Sequence, residues 1–145
     1  MYGWLIRSLA RRAFQGLGQG DPSFLTTFLA DDVEFHFPGR SPFAAHHHSK
    51  QASDQWLRRF AHFRPRFEIH EVIASGPPWD IRACIRFTDV IGDPSDPTPY
   101  VNEGVCLLTF RWGRVVSQRA FLDTQAVADF FGTESSEEFF ADLAD

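Results

Sequence analysis

The stretch YVNEGVCLLTFRWGRVVSQRAFLDTQAVADFF, residues 100–131, carries the pattern that decides the fold. Apolar and polar residues alternate on both sides of Gly113, which predicts a hairpin of two strands over 100–112 and 114–122. Asp123 then precedes a segment with helical spacing, 124–131. Aspartate is a favoured N-cap residue. The stretch therefore predicts a long β-hairpin that is closed by a short helix.

Upstream of the hairpin, alternating apolar residues predict three more strands, at 33–37, 66–74 and 79–90. Helical spacing predicts three helices before the last two of these strands. The helices are expected over residues 4–17, from Asp21-Pro22 to Leu29, and after a cap at Ser49. Helices that are segregated from an antiparallel sheet are typical of the α+β class.

The 145 residues are enough for one domain with a core, and sixteen phenylalanines need an apolar interior or cavity. The formal net charge of −5 argues against nucleic acid as a partner. No apolar run reaches the length of a membrane span, and the N-terminal stretch does not read as a secretion signal. We expect a cytoplasmic protein without membrane contact.

The predicted domain organisation is one domain over residues 1–132, followed by an acidic tail over 133–145. Ser135 and Glu138 have the spacing of a capping box, which predicts a short helix in this tail.

The order of these elements resembles the SnoaL-like branch of the nuclear-transport-factor-2-like superfamily, also called ketosteroid-isomerase-like. The resemblance runs from about residue 5 to 131, and it includes GDPSFLTTFLADDVEFHFPGRSPFAA (20–45), FEIHEVIASG (67–76) and the hairpin with its helix. It implies a cone: a strongly curved, mostly antiparallel sheet wrapped around N-terminal helices, with a deep apolar pocket.

The superfamily includes ketosteroid isomerases, polyketide cyclases, epoxide hydrolases, dehydratases and non-catalytic binders, so the fold leaves the chemistry open. The two carboxylate positions of the isomerases correspond here to Phe37 and Cys106, which excludes that mechanism. Asp89 and Asp123 fit the aspartate positions of limonene-epoxide hydrolases, but the arginine position holds Phe87. Asp123 also matches the acid–base aspartate of SnoaL-like cyclases.

Strand parity predicts which side chains enter the pocket. Asp89 shares a face with Phe87, and the next strand offers Tyr100, Asn102 and Cys106 on one face, whereas Cys84 faces outward and no disulfide is expected. Asn102 and Tyr100 are candidates for orienting a substrate. Aromatic side chains complete the expected lining: Phe35, Phe37, Trp56, Phe60 and Phe87.

Asp123 and Asp89 are the candidate catalytic residues, because burial in a Phe-rich cavity raises the pKa of a carboxyl towards neutrality. Each has a simpler reading that stays open. Asp123 could serve as a helix cap, and Asp89 could lie in a solvated loop. No motif for a cofactor is present, so none is expected.

Residues 40–48 are expected to form a loop, and its histidines His46, His47 and His48 do not predict a metal site. Adjacent residues in a loop rarely direct three nitrogens at one ion, and no cysteine or carboxylate has a suitable spacing. His36 and His70 are expected to be surface or hydrogen-bonded histidines.

We therefore expect a protein that binds a small, mostly apolar molecule, with cofactor-free cyclisation, isomerisation or epoxide opening as candidate chemistry. The alternative is a non-catalytic binding or dimeric accessory protein of the same fold. A homodimer is expected through the outer face of the sheet, which is predicted to be apolar. The predicted outward residues are Val101, Val105, Leu107, Val116, Ala120 and Leu122.

Overall fold

The structure, a computed structural model, describes residues 3–93 and 95–144. Its helices and strands follow the predicted order with one additional strand. The helices are α1 (Gly3–Gly18), α2 (Ser23–Thr26), α3 (Lys50–Ala61), α4 (Thr124–Phe131) and α5 (Ser136–Ala144). The strands are β1 (Leu29–Phe37), β2 (Ala45–His47), β3 (Arg66–Ser75), β4 (Ile81–Ile91), β5 (Tyr100–Arg111) and β6 (Arg114–Leu122).

The strands form a six-stranded, curved sheet in the order β2-β1-β6-β5-β4-β3. Neighbouring strands are antiparallel except β1 and β6, which run parallel. The predicted α+β class and the mostly antiparallel sheet are confirmed. No helix in the part of the chain that the structure describes is long and apolar enough to cross a membrane.

Helix α1 covers the concave face of the sheet, mainly along β3. Its buried stripe has the spacing that the sequence predicts, and it consists of Ile6, Ala10, Ala13 and Leu17. Phe14 extends the same face and stacks on Phe67 of β3, with ring centroids 4.4 Å apart. Burying this stripe holds the helix over the sheet, because burial of apolar area is the main driving force for folding.

The predicted second helix is wrong in its extent. Helix α2 ends at Thr26, and the chain enters β1 at Leu29 instead of Val33. The carbonyl oxygen of Phe28 accepts a 2.7 Å hydrogen bond from the backbone N–H of Val115, and Leu29 is fully buried. Pairing with β6 therefore makes the segment from Leu29 onward a strand, although its apolar spacing alone is compatible with a helix.

The predicted loop at 40–48 is also wrong in part, because Ala45–His47 forms the edge strand β2 on β1. The acidic tail forms α5, with Ser135 Oγ accepting a 3.2 Å hydrogen bond from the backbone N–H of Glu138. Phe139 and Phe140 of this helix pack against the aromatic core. The tail is thus attached to the domain and is not separate from it.

Candidate functional site

A cavity of about 90 Å³ lies between α1 and the concave face of the sheet. Its walls are apolar for the most part and come from α1, α2, α3 and the strands β1, β3, β4, β5 and β6. A carboxyl group from Asp89 and an amide from Gln118 interrupt this apolar lining. An apolar cavity with few polar groups is the typical form of a small-molecule site.

Asp89 lies on β4, directly opposite Asn102 of β5. Its side chain is 2% exposed, and Oδ1 has no hydrogen-bond partner. Burial raises the pKa of Asp89 to about 7, and hydrogen bonds from its own backbone and from Tyr100 lower it only in part. The solvated position considered for Asp89 is therefore wrong, and the residue is a buried carboxyl that can exchange a proton near neutral pH.

Tyr100 and Asn102 are buried at 4% and 3% exposure, but neither lines the cavity. Asn102 Nδ2 donates to Tyr100 Oη at 3.0 Å and to the carbonyl oxygen of Asp123 at 2.9 Å. Burial raises the pKa of Tyr100, so its hydroxyl stays protonated and can donate to Asp89. Tyr100 thus acts on Asp89 directly and Asn102 holds Tyr100 and the chain at Asp123, while neither side chain belongs to the cavity lining.

The predicted position of Asp123 in the pocket is wrong. Its side chain is exposed and caps α4, where Oδ1 accepts from the backbone N–H groups of Gln125 at 3.0 Å and Ala126 at 3.2 Å. The simpler reading as a helix cap is confirmed. Because its carboxyl is directed at the helix end, Asp123 does not pair with Asp89 as the epoxide-hydrolase resemblance required.

A β-bulge explains why the orientation of residues on β6 differs from the prediction. The register between β5 and β6 shifts after Thr109, opposite Val116. As a result Gln118, Ala120 and Leu122 point into the cavity, although Ala120 and Leu122 were expected on the outer face. Gln118 was therefore missed as a polar lining residue, because an extra residue in a strand exchanges the two faces beyond it.

Most of the residues that the sequence places in the lining border the cavity. Five of the expected residues line the cavity: Phe37, Trp56, Phe60, Phe87 and Cys106. Phe35 does not; it is 1% exposed and packs against Trp56, with ring centroids 4.9 Å apart.

The cysteines occupy opposite faces of the sheet, as expected, and both are free. Burial, with a smaller contribution from the negative charge of Asp89, raises the pKa of Cys106 to about 12. A thiol that stays protonated is a poor nucleophile, so Cys106 serves as a small apolar wall of the cavity.

The prediction against a metal ion at His46–His48 assumed that these histidines lie in a loop, and this assumption is wrong. His46 belongs to strand β2, not to a loop, and its register with β1 brings Glu34 close to His46 and His48. The two strands thus bring together a carboxylate and imidazoles that are separated along the chain.

Three solved structures illustrate what the fold resembles. An NTF2-like protein of unknown function from Burkholderia pseudomallei has a TM-score of 0.71 at 18% identity, over 86% of this chain and 95% of that chain. TerC co-crystallised with polyporic acid has a TM-score of 0.69 at 16% identity, over 86% and 95%. SalBIII, an epoxide hydrolase/cyclase-like enzyme in pyran ring formation, has a TM-score of 0.65 at 13% identity, over 83% and 92%.

These similarities, together with the curved sheet and its apolar cavity, define an NTF2-like fold. Within that class, the sequence profile of the SnoaL-like domain matches residues 10–118, and the chain belongs to this family. No curated protein matches the chain in sequence. The family is related to polyketide cyclases and isomerases.

Proposed function

We propose that this chain binds a small, mostly apolar molecule in the cavity under α1 and that Asp89 exchanges a proton with it, without a cofactor. One observation carries the proposal: Asp89 is a buried carboxyl with an unpartnered oxygen in an apolar cavity, and its pKa is about 7. Near neutral pH its acid and base forms are both populated, which is the condition that favours general acid–base catalysis.

The cavity favours a reaction in which the substrate supplies its own nucleophile. Epoxide hydrolysis needs polar groups that hold and activate a water molecule, whereas this lining offers one carboxyl and the amide of Gln118. Ring closure within a folded substrate needs one proton removed from the attacking hydroxyl and one delivered to the atom that receives the electron pair, which a single carboxyl can relay, and an apolar surface that holds the substrate folded. The pyran ring formation associated with SalBIII supports the same choice. We therefore infer an intramolecular cyclisation.

Ligand binding requires movement of aromatic side chains. The cavity of about 90 Å³ is smaller than the roughly 150 Å³ that holds a benzene molecule in a dry protein cavity. Phe14 of α1 meets Phe87 of β4 edge to face, with ring centroids 5.8 Å apart. Rotation or displacement of such rings enlarges the cavity towards α1.

The alternative function is binding without chemistry. The observation in its favour is that Tyr100 and Asn102 are engaged with each other and with Asp123, so Gln118 is the amide left in the lining to orient a substrate beside Asp89. The two functions differ in one measurable property, which is whether loss of the Asp89 carboxyl changes turnover while binding persists.

The test uses phenyl-substituted hydroxy-epoxides and hydroxy-enones, which can close to cyclic ethers. Binding is followed by the fluorescence of Trp56 in the cavity wall, and products by mass spectrometry. We expect Asp89→Asn to bind but not turn over, and Ala120→Leu, which fills the cavity, to do neither. Asp123→Asn is the matched control and keeps both. Binding without turnover by the wild-type chain would favour the alternative.

We also propose that two copies pair through the outer face of the sheet. Val101, Leu107 and Phe121 are 54%, 40% and 52% exposed there. Phe121 lies opposite Val105 in the β5–β6 pair, so apolar side chains adjoin across these two strands. A second copy of the same face would remove this area from water.

A further inference from the structure

The outer surface of the β1–β2 pair carries a group of side chains that the proposed function does not use. In the register of the pair, His36 lies opposite His46 and Phe35 lies opposite His47. Since side chains alternate along a strand, His46 and His48 project to one side and His47 to the other. The ring of His47 stacks on buried Phe35, with centroids 6.4 Å apart.

The side chains of Glu34, His46 and His48 converge on that outer side. One ligand atom from each lies within 4.8 Å of the other two, and His46 Nε2 is 3.5 Å from Glu34 Oε1. Two ligands of a tetrahedral zinc ion at 2.0–2.1 Å are about 3.3 Å apart. The side chains of His46 and Glu34 are 54% and 42% exposed, so small rotations can close the remaining distance.

An ion pair between His46 and Glu34 accounts for only part of this arrangement. His48 approaches the same carboxylate, with its ring centroid 4.7 Å from that of His46. The ring of His36 stands 5.2 Å from that of His46, and its buried Nδ1 has no hydrogen-bond partner. The ion pair engages His46 alone, whereas a cation bound by neutral imidazoles and the carboxylate would engage Glu34, His46 and His48 together.

We propose that Glu34, His46 and His48 form a binding site for a divalent transition metal ion of the zinc type. Imidazole nitrogen with one carboxylate oxygen suits zinc, nickel or copper, whereas magnesium and calcium require mostly oxygen ligands. Arg119 lies opposite His36 on β6 and brings a positive charge to this surface, which the carboxylate of Glu34 opposes.

The bound ion would connect the edge strand β2 to its neighbour β1. Strand β2 is attached to β1 through only three residue pairs. Ligands from both strands would hold β2 in register, and an ion that binds the folded state alone raises its stability by mass action. The site thus stabilises the pairing of β2 with β1 on the side of β1 that faces away from the cavity.

The test titrates zinc chloride into tag-free protein by calorimetry and follows thermal unfolding, with magnesium chloride as the ion control. We expect one zinc per chain and a melting temperature that rises with zinc but not with magnesium. Glu34→Gln, His46→Gln and His48→Gln should each weaken zinc binding at least ten-fold. Each variant is compared with its own metal-free melting temperature, so a loss of stability is separated from a loss of binding.

His47→Gln is the matched control, because His47 belongs to the same run but faces the other side of the strand. It should bind zinc as the wild-type chain does. Equal weakening by His47→Gln would mean that the histidine run binds metal without the sheet geometry, and it would overturn the site. Absence of zinc binding at millimolar concentration, or wild-type affinity in Glu34→Gln, would overturn it as well.

Discussion

The side-chain amide of Asn102 exchanges two hydrogen bonds with the backbone of Asp123, donating to its carbonyl oxygen at 2.9 Å and accepting from its N–H at 3.1 Å. The same amide donates to Tyr100 Oη, and a hydrogen bond from Tyr100 acts on the pKa of Asp89. The junction between β6 and α4 is thereby connected to the buried carboxyl. Asp123, which the sequence marks as an acid, is held by its backbone, whereas Asp89, which lies opposite Asn102 on β4, is the buried carboxyl.

The cap at Asp123 leads to the first prediction. Asp123→Asn should leave the free energy of unfolding nearly unchanged, because asparagine caps about as well as aspartate. Asp123→Ala should lower it by about 1 kcal/mol, because the N–H groups of Gln125 and Ala126 lose their acceptor. Urea unfolding of the three proteins measures this. A loss of turnover in Asp123→Asn at unchanged stability would contradict the role as a cap alone.

The second prediction concerns the pH dependence of stability. Burial raises the pKa of Asp89 from its ordinary value of 3.8 to about 7 in the folded chain, so between these values the folded state binds more protons than the unfolded state. Stability from this group therefore falls as pH rises through that window and is lowest above pH 7. Asp89→Asn removes this loss of stability, because the amide does not ionise.

The stabilisation by Asp89→Asn should consequently be small near pH 4, grow by on the order of 1 kcal/mol per pH unit up to pH 7, and then level off. Urea unfolding of both proteins at pH 5, 6, 7 and 8 measures the difference, in which the titration of the histidines cancels. A difference that stays constant over this range would show that Asp89 does not titrate there.

Tyr100 provides the third prediction. Its hydrogen bond stabilises the ionised form of Asp89 and lowers the pKa of that carboxyl. Tyr100→Phe should raise the pKa of Asp89 further and keep the ring contacts with Phe130 and Phe131, whose centroids are 5.3 and 5.8 Å away. NMR titration of the labelled carboxyl measures the shift, with Asp123→Asn as the control. An unchanged pKa would exclude the hydrogen bond.

Gly104 provides the fourth prediction, because it lies where β5 passes close to the end of β6. A Cβ atom at this position would come 2.8 Å from Leu122 Cβ, 2.9 Å from the carbonyl oxygen of Phe121 and 3.2 Å from Phe87 Cζ. Gly104→Ala should destabilise the chain by about 1–3 kcal/mol through overpacking. Gly3→Ala is the control, since no atom lies within 4 Å of its added Cβ. Equal melting temperatures of the two variants would contradict the close approach.

The proposed pairing of two chains gives the fifth prediction. Light scattering at micromolar concentration should report twice the chain mass of 16.6 kDa. Phe121→Lys should shift the population to the monomer, because it places a charge in the centre of the apolar outer face. Trp112→Lys changes a side chain that is 76% exposed at the hairpin turn and should leave the mass unchanged. A wild-type monomer would reject the dimer.

Much of the fold could be predicted from local pattern. Alternation on both sides of Gly113 predicted β5 and β6, and helical spacing after Asp123 predicted α4, because these signals depend on neighbours along the chain. The start of β1 at Leu29 and the strand β2 could not be predicted in this way. The start of β1 depends on pairing with β6, which is distant in the sequence. Strand β2 has three residues, which are too few for a local pattern, and it forms through pairing with β1.

The candidate site was predicted less completely for the same physical reason. Parity located Asp89 and Cys106 correctly on the inner face, but a single bulge on β6 exchanged its faces and hid Gln118. A bulge is a property of the pairing between strands, and a one-residue shift moves every following side chain to the other face.

The sequence by itself determined the α+β class, the resemblance to the SnoaL-like family and the capping signal at Asp123, since these are written in residue type and spacing. Only the tertiary structure decided which aspartate is buried. The pKa of Asp89 follows from burial among α1 and the strands, whereas Asp123 remains in contact with water. Likewise, only the register of β2 on β1 brought Glu34 to His46 and His48. Desolvation and ligand convergence depend on residues far apart in the chain, and a local pattern does not record their separation in space.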